Sequence, residues 1–207
     1  MTVARALWDE NAALADVALR HPFVRGLADG TLPAERFAAY IAQDAFFLES
    51  FARAYALALA HSPDQSGVDT FAELIGGVRD ELRLHASYAR RLGIDLASVD
   101  PAPATLAYTD FLLATAAIGG PGQTCAAMTP CMRLYAYLGQ SLASAPHGDA
   151  YAEWITTYAD PSFEELAATL ERLLDAYSSD VDRERAVYGR AMRLELNFFD
   201  GSMIPAH

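Results

Sequence analysis

Three residues of the 207-residue chain sit where their chemistry conflicts with ordinary packing: Asp44, Glu195 and Cys131. Phe37, Tyr40, Ile41, Asp44, Leu48, Phe51 and Tyr55 follow the i, i+3, i+4, i+7 spacing of one buried helical stripe, with the carboxylate in its middle. An unpaired buried carboxylate costs several kcal/mol, comparable to the stability of a small domain, so Asp44 must be paired, protonated or aimed at a ligand. A core aspartate bonded to a neighbouring Tyr or Arg meets the same constraint. Glu195 repeats the anomaly on the stripe Tyr188, Ala191, Met192, Glu195, Phe198 and Phe199. Two such acids facing one cavity would have raised pKa values, preparing at least one for proton transfer near neutral pH.

Cys131 follows Pro130. The proline either kinks a helix by removing the bond to the Ala126 carbonyl, or opens a new helical segment capped by Thr129. In the second case the thiol would lie in a first turn, where the helix dipole favours the thiolate. The alternative is an inert cysteine acting as a small hydrophobe, and Cys125 is assigned that role. Tyr135 lies one turn beyond Cys131, and Tyr151, Trp154 and Tyr158 form a further aromatic stripe. Buried tyrosine hydroxyls need partners, so a pocket for a flat, polar heteroaromatic ligand is consistent with this pattern.

Competing chemistries lack their motifs. Neither His-Glu-x-x-His nor Glu-x-x-His occurs, nor a Gly-x-Ser-x-Gly elbow, and Gly119-Gly120-Pro121-Gly122 is not followed by the Lys-Ser/Thr of a phosphate loop. Glu81 and His85 could share a metal, but the neighbouring Arg79 and Arg83 suggest an ordinary surface ion pair for Glu81.

These residues require long helices to carry them. Alanine is abundant, and apolar residues recur at three- and four-residue offsets, which predicts an all-α chain. Helices are expected over about 3–19, 31–61, 68–92, 108–118, 123–142, 149–158, 163–177 and 182–199. His21-Pro22, Ser62-Pro63, Gly93, the 119–122 glycines and Asp160-Pro161 punctuate them. No linker or internal repeat divides the sequence, so one helical bundle over residues 1–207 is expected.

Composition narrows the functions. With 15 Lys+Arg against 27 Asp+Glu, the net charge is −12, a poor footprint for nucleic acid. At 53% hydrophobic the chain can bury a sizeable core. The apolar run Phe111–Ile118 is far shorter than the ~18–20 residues that cross a bilayer, and the N-terminus lacks a basic leader with an apolar run. A cytoplasmic protein with reduced thiols and no membrane partner is therefore expected.

Four segments occur in the order seen in the TenA/thiaminase II family. They are Gln43-Asp44-Ala45-Phe46-Phe47-Leu48, the Pro130-Cys131-Met132-Arg133-Leu134-Tyr135 segment ending at Gly139, the Tyr151, Trp154, Tyr158 stripe, and Glu195-x-x-Phe198. The sequence resembles this family over nearly its whole length, within its cysteine-containing class. The resemblance implies a single-domain heme-oxygenase-like multi-helix bundle, assembled as a homotetramer, that hydrolyses aminopyrimidines related to thiamin and releases hydroxymethylpyrimidine without metal or cofactor. It further implies that Cys131 is the nucleophile, Glu195 the acid/base and Asp44 the carboxylate holding the ring's amino and nitrogen edge. Tyr108, Tyr135 and Tyr158 correspond to pocket tyrosines, and Phe47 and Phe198 to aromatic walls. Phe47 stands where many members have tyrosine, Arg133 where tryptophan is common, and Phe199 where tryptophan often follows Phe198. The rival readings are a metal-dependent oxidase of similar fold using Glu81 and His85, and a pyrimidine-binding or regulatory protein without turnover.

Overall fold

A computed structural model describes residues 1–204, so the last three residues of the expected 1–207 domain lie outside the described residues. Among the described residues there are ten α-helices and no strand: α1 Val3–Glu10, α2 Ala12–Leu19, α3 Pro22–Asp29, α4 Ala34–Ala60, α5 Gln65–Leu92, α6 Pro103–Ile118, α7 Pro121–Ala143, α8 Ala152–Ala159, α9 Pro161–Tyr177 and α10 Val181–Ser202. Short 3-10 turns at Leu96–Ser98 and Asp149–Tyr151 lead into α6 and α8.

The long helices follow the apolar periodicity. Every member of the α4 stripe from Phe37 to Tyr55 is buried, Asp44 included. α5 ends at Gly93, whose φ of +69° places it in the left-handed region that glycine adopts without strain. The expected first helix is divided at Asn11, whose side-chain Nδ2 donates to the Leu7 carbonyl at 2.8 Å and takes up a carbonyl at the helix end. The expectation also missed α3, in which Pro22 occupies the first turn and His21 Nδ1 accepts from the Phe23 N–H at 3.1 Å as the N-cap.

α7 lies centrally, packing against α4, α6, α8, α9 and α10. It runs through Pro130 as one helix, so Thr129 opens no new segment. Instead the Thr129 hydroxyl donates to the Cys125 carbonyl at 2.7 Å, one turn back. Cys131 therefore sits in mid-helix, and no N-terminal dipole acts on its thiol. Arg133, on the same helix, points to α9, where it engages Glu171 at 2.7 and 2.8 Å and Glu164 at 2.8 Å. This arginine ties two helices together.

α8 reaches α7 by a backbone-to-backbone approach at Gly139. A Cβ there would collide with the Tyr158 backbone and stand 2.6 Å from the Ala159 nitrogen. The contact brings the α8 aromatics up to α7: Tyr135 has its ring centroid 4.8 Å from Tyr158 and 5.9 Å from Trp154. Gly139→Ala should therefore force the two helices apart and cost about 1–3 kcal/mol of stability, read from urea unfolding. An unchanged midpoint would show that the close approach is not required.

Candidate active site

Asp44 on α4, Glu81 on α5, Cys131 and Tyr135 on α7 and Tyr158 on α8 line one narrow cavity, together with Leu48, Phe51, Met132 and Phe163. At about 10 Å³ the cavity has room for roughly one water molecule. Four of the eight residues expected in a site thus meet around it: Asp44, Cys131, Tyr135 and Tyr158.

Glu195 reaches this group through the thiol. It is 1% exposed, and the Tyr108 hydroxyl donates to its Oε1 at 2.6 Å. Burial pushes the carboxyl up to about 8, against the Tyr108 hydrogen bond, which lowers it. The Cys131 thiol is held well above its usual range, first by burial and then by the carboxylates Glu195, Glu81 and Asp44. The first-turn alternative, in which a dipole favours the thiolate, is thereby corrected: the resting sulfur carries its proton. Cys125 is fully buried, and burial raises its thiol as well.

Phe47 and Phe198 do not line the cavity. Their rings contact each other, with centroids 5.9 Å apart and planes inclined by 50°, so no third ring stands between them. Phe47 instead backs the Tyr108 ring at 4.8 Å, and Phe198 meets Tyr40 edge-on at 6.0 Å. They form a second layer that fixes the tyrosines, and Phe199 extends it by stacking on Phe23 at 5.5 Å.

The sequence reading misplaced Glu81 and His85. His85 is 1% exposed, and its Nε2 lies 2.7 Å from Asp44 Oδ2 while Nδ1 lies 3.0 Å from the Glu81 carbonyl. The Glu81 carboxylate accepts from the Tyr158 hydroxyl at 2.7 Å, and Arg83 turns away to Asp80. The signal was present: Phe71, Leu74, Val78, His85 and Tyr88 form a buried stripe on α5. His85 interrupts it as Asp44 interrupts the stripe on α4. Among the described residues no group of three His, Cys, Asp or Glu side chains has a metal-holding arrangement.

Tyr40, fully buried, was foreseen only as a stripe member. Its hydroxyl donates to the Tyr135 hydroxyl and accepts from Trp154 Nε1, each at 3.3 Å. Tyr40, Tyr135 and Trp154 thus share a polar network, whereas the buried hydroxyls of Tyr55, Tyr88 and Tyr188 find no partner among the described residues.

The fold is all-α and heme oxygenase-like. A domain of unknown function with a heme oxygenase-like fold from Shewanella denitrificans superposes with a TM-score of 0.77 at 18% identity, covering 96% of this chain and 90% of that one. The TENA/THI-4/PQQC family model matches residues 8–204, and the chain belongs to this family. An aminopyrimidine aminohydrolase from Halalkalibacterium halodurans is 34% identical, over 97% of this chain and 95% of that protein. A TenA family transcription regulator from Silicibacter shares 28% identity with a TM-score of 0.93, covering 98% and 97% of the two chains. No helix among the described residues is long and apolar enough to cross a membrane.

The buried groups set a pH dependence of stability. Glu81 rises from 4.5 to about 7, mainly through burial, and Glu195 from 4.5 to about 8. His85 rises from 6.5 to about 9, burial opposing the shift and Asp44 outweighing it. In each case the folded state holds its proton over a range where the unfolded chain has lost it. Stability therefore falls as pH rises, from about 4.5 to 8 for the acids and from 6.5 to about 9 for the histidine. Thermal melts should show a lower midpoint at pH 9 than at pH 5.5, with a shallower decline in Glu81→Gln/Glu195→Gln. A flat profile in the parent protein would contradict these burials.

Proposed function

We propose that the protein is an aminopyrimidine aminohydrolase of thiamin salvage, converting an aminomethyl-pyrimidine and water to the hydroxymethylpyrimidine and ammonia, with thiamin as a further substrate. The observation that carries this reading is one aromatic cavity lined by the Cys131 thiol, Glu81 and the Asp44 carboxylate, with the buried Glu195 beside the thiol. Membership of a family with aminohydrolase relatives supports it. A pyrimidine ring exceeds the space between the side chains, so it enters by moving them outward; Met132 at the cavity wall has the flexible stem for this.

In this reading Asp44 accepts from the ring's amino edge, and Tyr135 and Tyr158 bound the ring. Cys131 adds to a ring carbon. The S–H bond breaks, the S–C bond forms, the displaced ring electron pair moves toward a ring nitrogen, and the thiol proton passes to Glu195 in its ionised form, which a carboxyl titrating at about 8 populates increasingly from neutral pH upward. Glu195 then returns that proton to the departing amine, which leaves as ammonia; water adds at the carbon it vacates, the water's surplus proton passes to Glu195 and on to the sulfur, and the S–C bond breaks to restore the ring and the thiol. A resting thiol paired with a carboxyl suits this coupled transfer, because the nucleophile forms only as the proton finds its acceptor. Tyr108 steers Glu195 through its 2.6 Å bond, and Phe47 and Phe198 keep Tyr108 and Tyr40 in place. The reading includes a homotetramer in the cytoplasm, where the two free thiols stay reduced. The regulator label of the Silicibacter relative has little support here, since a net charge of −12 opposes contact with DNA.

Cys131→Ser should lose at least about 100-fold in turnover, because a hydroxyl ionises far less readily than a thiol, while hydroxymethylpyrimidine binding stays within a few-fold of the parent. Cys125→Ser should turn over normally. Steady-state kinetics with the aminomethyl-pyrimidine and calorimetry with the product provide the two readouts. Near-normal turnover by Cys131→Ser would remove the nucleophile assignment.

A further inference from the structure

The contact between His85 and Asp44 has only two proton arrangements. His85 Nδ1 faces the Glu81 backbone carbonyl at 3.0 Å, and a carbonyl only accepts, so Nδ1 carries hydrogen. Nε2 then meets a carboxylate oxygen at 2.7 Å, a distance at which two bare acceptors would repel each other. One proton must lie between them, on the imidazole or on the acid. Asp44 Oδ1 makes no hydrogen bond among the described residues, and Asp44 lines the cavity.

We propose that His85 is a specificity-determining positioning residue: by donating from Nε2 to Oδ2 it holds Asp44 as an ionised acceptor with Oδ1 left for a ligand, so the site takes a ring bearing an amino group and refuses its oxo counterpart. This rests on the reading above in which Asp44 meets the ring's amino edge. The surroundings agree on where the proton lies. The groups facing the pair are Tyr40 from α4, Glu81 and Tyr88 from the histidine's own helix, Cys131 and Tyr135 from α7, Tyr158 from α8 and Glu195 from α10. None is a cation, so a protonated imidazole is the positive charge that this acidic cluster lacks. His85 accordingly stays protonated up to about 9 although burial opposes it, because Asp44 and then Glu81 favour the charged ring. An ionised Asp44 accepts from an amino group and repels an oxo oxygen. Without His85 a buried, unpaired carboxylate takes up a proton, becomes a donor as well, and tolerates either edge.

The test compares binding of hydroxymethylpyrimidine with its 4-oxo analogue to the parent, His85→Leu and His85→Gln, alongside nitrogen-15 NMR of the His85 ring in the ligand-free parent. Hydrogen bonds to charged groups predict that the parent prefers the amino ring by about 10- to 100-fold. His85→Leu should lose most of that preference. His85→Gln, which still donates to Oδ2, should keep most of it. The NMR spectrum should show both ring nitrogens protonated at pH 7. An unchanged amino preference in His85→Leu, or a neutral His85 ring at pH 7, would overturn the proposal. If His85→Leu fails to fold, loss of the preference in a folded His85→Gln, or the neutral ring, still overturns it. A parent that binds neither ring would instead overturn the proposed function, whichever protonation the NMR reports.

Discussion

Buried Asp44, His85 and Glu195 and half-buried Glu81 and Cys131 gather in one cluster, and each ionisable group there depends on a neighbouring side chain for its proton. Water would screen and solvate these groups; the helices replace it with aromatic rings and a few aimed hydroxyls. That substitution raises the acids, holds the thiol protonated and makes the His85–Asp44 contact a proton-bearing bond. Burial of this kind is tolerated only where every group has a partner, and here the partners are specific: Tyr108 for Glu195, Tyr158 for Glu81, His85 for Asp44.

The architecture follows from that requirement. Five helices deliver one or two groups each: α4 the aspartate, α5 the histidine and Glu81, α7 the cysteine, α8 Tyr158, and α10 Glu195. Their convergence depends on close helix approaches, of which Gly139 against α8 is the tightest the site uses. The second layer of Phe47, Phe198 and Phe199 packs against the rings of Tyr108, Tyr40 and Tyr135, whose hydroxyls make the polar contacts. Arg133 serves a different end, clamping α7 to α9 through Glu164 and Glu171.

Much of this was legible in the residues, for a definite reason. A charged side chain in the middle of a 3.6-residue apolar stripe is visible without coordinates, and this located Asp44 and Glu195. The same rule applied to α5 would have found His85, but the flanking arginines drew attention to the helix's exposed face and Glu81 was read with them. Pro130 offered two local outcomes, and only tertiary packing decided that α7 passes through it. The break at Asn11 and the helix α3 depend on single side chains meeting backbone groups, at Leu7 and at Phe23, which periodicity does not report.

The central claim is that Cys131 rests as a thiol whose proton is governed by the carboxylates around it. The pH dependence of its alkylation by iodoacetamide, measured in a Cys125→Ser background and again with Glu195→Gln, addresses it most directly. The account predicts a rate that keeps climbing past pH 9 in the first protein and levels off at lower pH in the second, where a neighbouring negative charge has been removed. A rate already level below pH 8 in the first protein would mean a standing thiolate, and would contradict it.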